Sequence, residues 1–197
     1  MTLANKVTLL RIFLTPFLIV CVLEAASAEW YRYLAGGLLF LVGIGDVVDG
    51  YLAKKRNEVT ELGRFLDPIA DKFIVITLCI VLSSRFWAGP HLPFWLTAVI
   101  LGRELFIIIG FLSLSFANVK PSPWPCLLGR INNNTQHVMY GVVIFGNVMP
   151  DFVLKFFWFG TGFFSIISLA AYIWLGVTML RRQDVKPGMG QSVQEVT

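Results

Sequence analysis

The sequence predicts an all-α integral membrane protein, a bundle of six transmembrane helices, on three observations. The chain of 197 residues is 56% hydrophobic and 14% charged, with a mean hydropathy of +0.72, more apolar than the ~45–50% typical of globular domains. Its apolar residues gather into separate runs near the ~20 residues that a helix needs to cross a bilayer. Its charges gather mostly between those runs. The expected spans are 9–24, 34–54, 67–87, 93–117, 135–149 and 154–180. They form one domain over residues 1–182, followed by a short polar cytosolic tail, 183–197, that contains Pro187, Gly188 and Gly190.

The first span opens on Lys6 and Arg11, continues as IFLTPFLIVCVL and ends near Ala26-Ser27-Ala28, an order that secretory leaders share. Asn5, Thr8 and Arg11 recur every third residue, however, which aligns three polar groups on one helical face. A cleaved leader has no use for such a stripe, so the segment is expected to be retained. An interfacial helix end with Asn5 or Thr8 near a cap is the plainer account of the same stripe.

Between the second and third spans lies GDVVDGYLAKKRNEVTELGRFLDPIADK. Asp46, Asp49, Gly50 and Ala53 fall at i, i+3, i+4 and i+7, one face of a helix, and Asp67 and Asp71 are one turn apart on the next. Carboxylates at a membrane edge are costly and ask for compensating cations. An all-oxygen donor set suits hard divalent ions better than soft ones, so these four aspartates are a candidate metal site. Asp67 followed by Pro68 also has the form of a helix N-terminus, but that leaves Asp46 and Asp49 unexplained.

The fourth span carries Arg103 and Glu104 inside an apolar run. Such residues face a bundle interior or a wet cavity, as an ion pair or as binders of an anion. The fifth span is short and polar at its start. Lys and Arg favour the cytosolic side, and most of them fall on the side of the N-terminus, whereas the opposite loops hold only Arg32, Arg85 and Lys155. Both termini and the four aspartates are therefore expected in the cytosol, with Trp30, Tyr31, Tyr33, Trp87, Trp95 and Trp158 in an aromatic belt at the outer face. The net charge of +4 reflects this topology and attraction to lipid headgroups, with no argument for nucleic acid. Cys21, Cys79 and Cys126 show no zinc or disulfide spacing, and neither His91 nor His137 is near the aspartates in sequence.

The aspartate segment resembles the CDP-alcohol phosphotransferases, whose pattern is D-x2-D-G-x2-A-R-x8-G-x3-D-x3-D. Asp46, Asp49, Gly50, Ala53, Gly63, Asp67 and Asp71 match it in seven of eight fixed positions, and Lys54 replaces the Arg. That exchange keeps the charge but loses the planar fork for bidentate phosphate contact. The resemblance implies six membrane helices, a homodimer, an active site open to the cytosolic leaflet and two divalent ions, Mg2+ or Mn2+. It implies transfer of a phosphatidyl group from CDP-diacylglycerol to an acceptor hydroxyl with release of CMP, in a bacterial inner membrane. It further implies Asp46, Asp49 and Asp67 as metal ligands, with Asp71 as ligand and catalytic base. CDP is expected against Asp49, Gly50, Ala53, Lys54 and Gly63, with Asn5 and Thr8 beside it. Gly50 and Gly63 equally suit helix packing or a helix end.

The acceptor is less marked. The start NKVTLLRIFLTP and the run ILGRELFI are similar to the phosphatidylglycerophosphate synthases of this family, whose acceptor is glycerol 3-phosphate. Arg103, Lys120, Arg130 and Arg11 are the cations expected to hold it. Two departures stand against this: Phe111 where a second Arg is common, and Gly129, Arg130, Ile131, Asn132, Asn133, Asn134 and Gln136 where a G-K-x-K-T-x-x-Q run is common. Lys120-Pro121-Ser122 and the Arg130-x-Asn132 spacing look closer to cardiolipin synthases, whose acceptor is phosphatidylglycerol. An ion-binding transporter is the alternative from another class, but its carboxylates would lie mid-span with inverted repeats or broken helices. A scaffold that has lost catalysis is another, with Lys54 as its sign.

Overall fold

A computed structural model describes the backbone of residues 3–56, 61–116 and 127–184, and the side chains of these except residues 3–9, 46–56, 61–71, 111, 114–116, 127 and 179–184. The described residues are all-α: α1 (Leu3–Leu23), α2 (Glu29–Arg56), α3 (Glu61–Ser83), α4 (Phe94–Phe116), α5 (Leu127–Ile144) and α6 (Asp151–Asp184), with short 3-10 turns at Glu24–Ala26 and Gly146–Val148. Among them, Asp151–Thr178 is long and apolar enough to cross a membrane by length and composition. Each of the six expected runs overlaps one helix, with 67–87 and 135–149 extending past the ends of α3 and α5.

The helices neighbour one another in a closed order, α1, α3, α4, α6, α5, α2 and back to α1, with α3 and α5 also touching. Leu18, Val22, Leu39, Val42, Ile74, Leu78, Leu96 and Ile100 fill the interior together with Met139, Tyr140 and Val143. The Tyr140 hydroxyl donates to the Val75 carbonyl at 3.0 Å, tying α5 to α3. Pro16 interrupts the bonding of α1, and the Thr15 hydroxyl donates to the Arg11 carbonyl at 2.8 Å in the same turn.

Large apolar side chains cover much of the described surface, and several polar groups lie buried beside the apolar core. Phe40, Phe94, Phe106, Phe156, Phe163 and Trp174 are exposed, while Arg103, Glu104, Asn132, Gln136, Thr161, Ser165 and Ser168 are buried. Small residues let helix backbones approach one another closely. Gly162 fits that pattern: a Cβ there would lie 2.8 Å from the Trp95 ring, so α4 and α6 approach closely only because it is absent.

At the end opposite the aspartates, Arg32 of α2 stacks over Trp87 at 5.6 Å. With the Asn147 amide turned so that its oxygen faces the guanidinium, it accepts from Arg32 at 2.7 and 2.8 Å. Trp87 is buried, 2% exposed, and presents a ring face to Arg32. The fifth helix also departs from expectation, starting at Leu127 where the hydropathy places a span only from residue 135. Asn132 and Gln136 are buried in it, so its polar start is an inward helical face.

Candidate active site

The aspartates lie in the half of the bundle nearer the connection between α2 and α3, with Asp71 close to the middle of α3. Asp46 stands ten residues before Arg56 in α2 and Asp71 ten after Glu61 in α3, while Asp49 stands seven before and Asp67 six after. At ~1.5 Å per residue, this puts Asp46 and Asp71 about 15 Å in from their helix ends, and Asp49 and Asp67 about 10 Å in. Only residues 57–60 separate the two helices, and α1 packs against both, with Asn5, Thr8 and Arg11 in its N-terminal half. The side chains of Asp46, Asp49, Gly50, Ala53, Lys54, Gly63, Asp67, Asp71, Asn5 and Thr8 lie outside the described residues, as does Lys120. Among the described residues no cluster of three or more His, Cys, Asp or Glu offers a cation another place. The all-carboxylate donor set on α2 and α3 fits a hard divalent ion by its chemistry.

Directly beyond the aspartates, a charged network crosses the bundle. Lys72, the residue after Asp71, pairs with Glu104 of α4, and Arg103 pairs with the same carboxylate. Arg103 Nη2 donates to the Ser168 hydroxyl of α6 at 3.1 Å, and its guanidinium carbon lies 6.0 Å from the centre of the Tyr172 ring. Glu104 is fully buried and Arg103 nearly so. The ion-pair reading of Arg103 and Glu104 is thus realised in the structure. One donor of Arg103, Nε, is left without a hydrogen-bond partner.

A seam between α5 and α6 continues from this network. Gly129 abuts Tyr172, where a Cβ would lie 2.5 Å from the phenol oxygen, and Ser165 donates to Asn132 Oδ1 at 2.9 Å. In antiparallel helices, Gln136 and Thr161 then lie level with each other, one turn further on from Asn132 and Ser165. The Gln136 amide and the Thr161 hydroxyl are buried without hydrogen-bond partners. Arg130, beside Gly129, is exposed, and Arg11 is buried in α1.

The residues missed by sequence reasoning are Lys72, Ser168 and Tyr172. Thr161, Ser165, Ser168 and Tyr172 recur at i, i+4, i+7 and i+11, a polar stripe at helical spacing that could have pointed to them. Lys72 carried no such signal, because it reads as one more cytosolic cation.

The described residues form an all-α bundle with large apolar side chains on its surface and paired carboxylate positions on α2 and α3. Comparison with known sequences makes this specific. The model of the CDP-alcohol phosphatidyltransferase family matches residues 1–180, and the chain belongs to that family of transferases. It is similar to a CDP-diacylglycerol–glycerol-3-phosphate 3-phosphatidyltransferase of Bacillus subtilis (strain 168), at 35% identity over 77% of this chain and 80% of the relative. A protein of the same description from Aquifex aeolicus (strain VF5) is 30% identical over 91% of this chain and 95% of its own. A probable cardiolipin synthase (CMP-forming) of Drosophila melanogaster is 26% identical over 88% of this chain and 57% of its own.

Proposed function

We propose that this protein moves the phosphatidyl group of CDP-diacylglycerol onto a hydroxyl of glycerol 3-phosphate, releasing CMP. The observation that carries the reading is the aspartate pattern on α2 and α3, within a family match over residues 1–180. Six helices cross a bilayer in this reading, with both termini and the aspartates on the cytosolic side, as a homodimer in a bacterial inner membrane. The exposed phenylalanines and buried polar groups support the bilayer.

Asp46, Asp49, Asp67 and Asp71 would hold two divalent ions, Mg2+ or Mn2+, which when bound supply charge neutralisation for a pyrophosphate. Gly50, Ala53 and Gly63 leave room for CDP to lie against the helices, and Lys54, Asn5 and Thr8 contact it. Asp71 accepts the proton of the acceptor hydroxyl. The acceptor oxygen bonds to the phosphorus nearest the diacylglycerol while the bond from that phosphorus to the CMP oxygen breaks. CMP leaves with the electron pair. Arg103, with its spare Nε donor, joins Lys120, Arg130 and Arg11 in binding the acceptor phosphate.

A second acceptor, phosphatidylglycerol, is favoured by one observation. Position 132 holds a neutral Asn bonded to Ser165, where a Lys is common in the glycerophosphate enzymes. A phosphodiester needs fewer counterions than a phosphate monoester. The test is CMP release by purified protein from CDP-diacylglycerol and Mg2+, with glycerol 3-phosphate, phosphatidylglycerol, inositol phosphate or serine offered separately. Turnover with glycerol 3-phosphate supports the reading, and turnover with phosphatidylglycerol alone replaces it by cardiolipin synthesis.

A further inference from the structure

The carboxylate of Glu104 is fully buried and takes two cations, Lys72 from α3 and Arg103 from its own helix. Burying such a group carries a desolvation cost that well-packed apolar side chains of similar volume do not. A bundle in lipid has no evident stability reason to keep it, and charges at such positions generally serve function.

What the network supplies is direction. Apolar contacts hold a helix in lipid only weakly against rotation about its axis, because neighbouring side chains and lipid tails are equally apolar. An ion pair to one fixed partner sets both rotation and height. Lys72 follows Asp71 in α3 and is held by Glu104, whose neighbour Arg103 is braced on α6 through Ser168. Tyr140 holds the Val75 carbonyl, one turn after Asp71, from α5. The helix carrying Asp67 and Asp71 is thus held by two neighbouring helices, α4 and α5, within one turn of Asp71, and α4 is in turn braced on α6.

We propose that Glu104 is a positioning residue that acts through Lys72 to fix the rotation of α3, and with it the placement of the Asp67 and Asp71 carboxylates. A rotation of about 10° swings a side-chain head ~6 Å from the helix axis by about 1 Å, and an error of that size can cost ~10²-fold in rate. The inference rests on the proposed function for its kinetic readout. A binding readout keeps the two separable.

The experiment compares Glu104→Gln, Glu104→Leu, Lys72→Met and the double variant Lys72→Met/Glu104→Leu in the full chain. Its readouts are kcat, KM for CDP-diacylglycerol, Mn2+ binding by electron paramagnetic resonance, and unfolding temperature. Expected are a fall in kcat of roughly 10–100-fold with KM little changed, and weakened Mn2+ binding in Glu104→Gln even where its unfolding temperature matches the wild type. The double variant is expected to be no worse than Glu104→Leu, because residues that act as a unit are not additive. Unchanged kcat and Mn2+ binding in folded Glu104→Gln, or losses that multiply in the double variant, overturn the proposal. If wild type releases no CMP with any acceptor, the functional reading fails, and the Mn2+ comparison still decides the positioning role.

Discussion

Lys72 and Glu104 form an ion pair between α3 and α4, one residue beyond Asp71. The pair joins the helix that carries the second aspartate pair to the helix that carries Arg103, whose guanidinium reaches α6. The aspartates therefore border a braced part of the bundle. That gives each of the following substitutions a defined surrounding in which to act.

Asp71→Asn removes the proposed proton acceptor while keeping the shape of the side chain. Turnover is expected to fall by at least ~10²-fold, the lower range for loss of a general base, with CDP-diacylglycerol binding largely kept. Asp46→Asn and Asp49→Asn are expected instead to raise the metal concentration needed for half-maximal rate. Steady-state kinetics across a Mg2+ titration separate the two patterns, and a near-normal rate for Asp71→Asn would remove it from the base role.

Lys54→Arg restores the residue common to the family pattern. A guanidinium fork offers two parallel bonds to a phosphate where an ammonium offers a point charge. The KM for CDP-diacylglycerol is expected to drop by roughly 3-fold or more, within the gain of a charge-assisted hydrogen bond. A rise in KM would mean that position 54 does not face the pyrophosphate.

Gly129→Ala introduces a Cβ 2.5 Å from the Tyr172 hydroxyl, and relief requires the ring beside Arg103 to shift. The variant is expected to lose about 1–3 kcal/mol of stability, as overpacked interiors do. Adding Tyr172→Phe, which removes the clashing oxygen, is expected to recover part of that loss. Unfolding curves of the two single variants and the double variant measure the coupling.

Gln136→Leu replaces a buried amide that has no hydrogen-bond partner. An unsatisfied buried polar group costs about 1–3 kcal/mol, so the variant is expected to unfold at a higher temperature. A lower unfolding temperature would show that the amide is bonded in the working protein.

The elements were legible because apolar helices are written in hydropathy, and each of the six apolar runs overlaps a helix. The aspartate motif was legible because its residues are close in sequence and fixed in spacing. Asn132 and Gln136 hid the start of α5 from the hydropathy reading, because a helix whose first buried positions are polar looks like a loop when scored by polarity alone. The burial of Trp87 was not legible for a related reason: its partner, Arg32, is 55 residues away. The Lys72–Glu104 pair joins different helices, and no local spacing encodes which buried charge meets which.

The measurement that tests the account most directly offers the purified protein CDP-diacylglycerol, Mg2+ and equal amounts of glycerol 3-phosphate and phosphatidylglycerol, and identifies the lipid product by mass spectrometry. The account predicts phosphatidylglycerophosphate, formed in step with CMP and lost in Asp71→Asn. Cardiolipin as the product would contradict the acceptor assignment, and lipid product formed at the wild-type rate by Asp71→Asn would contradict the site.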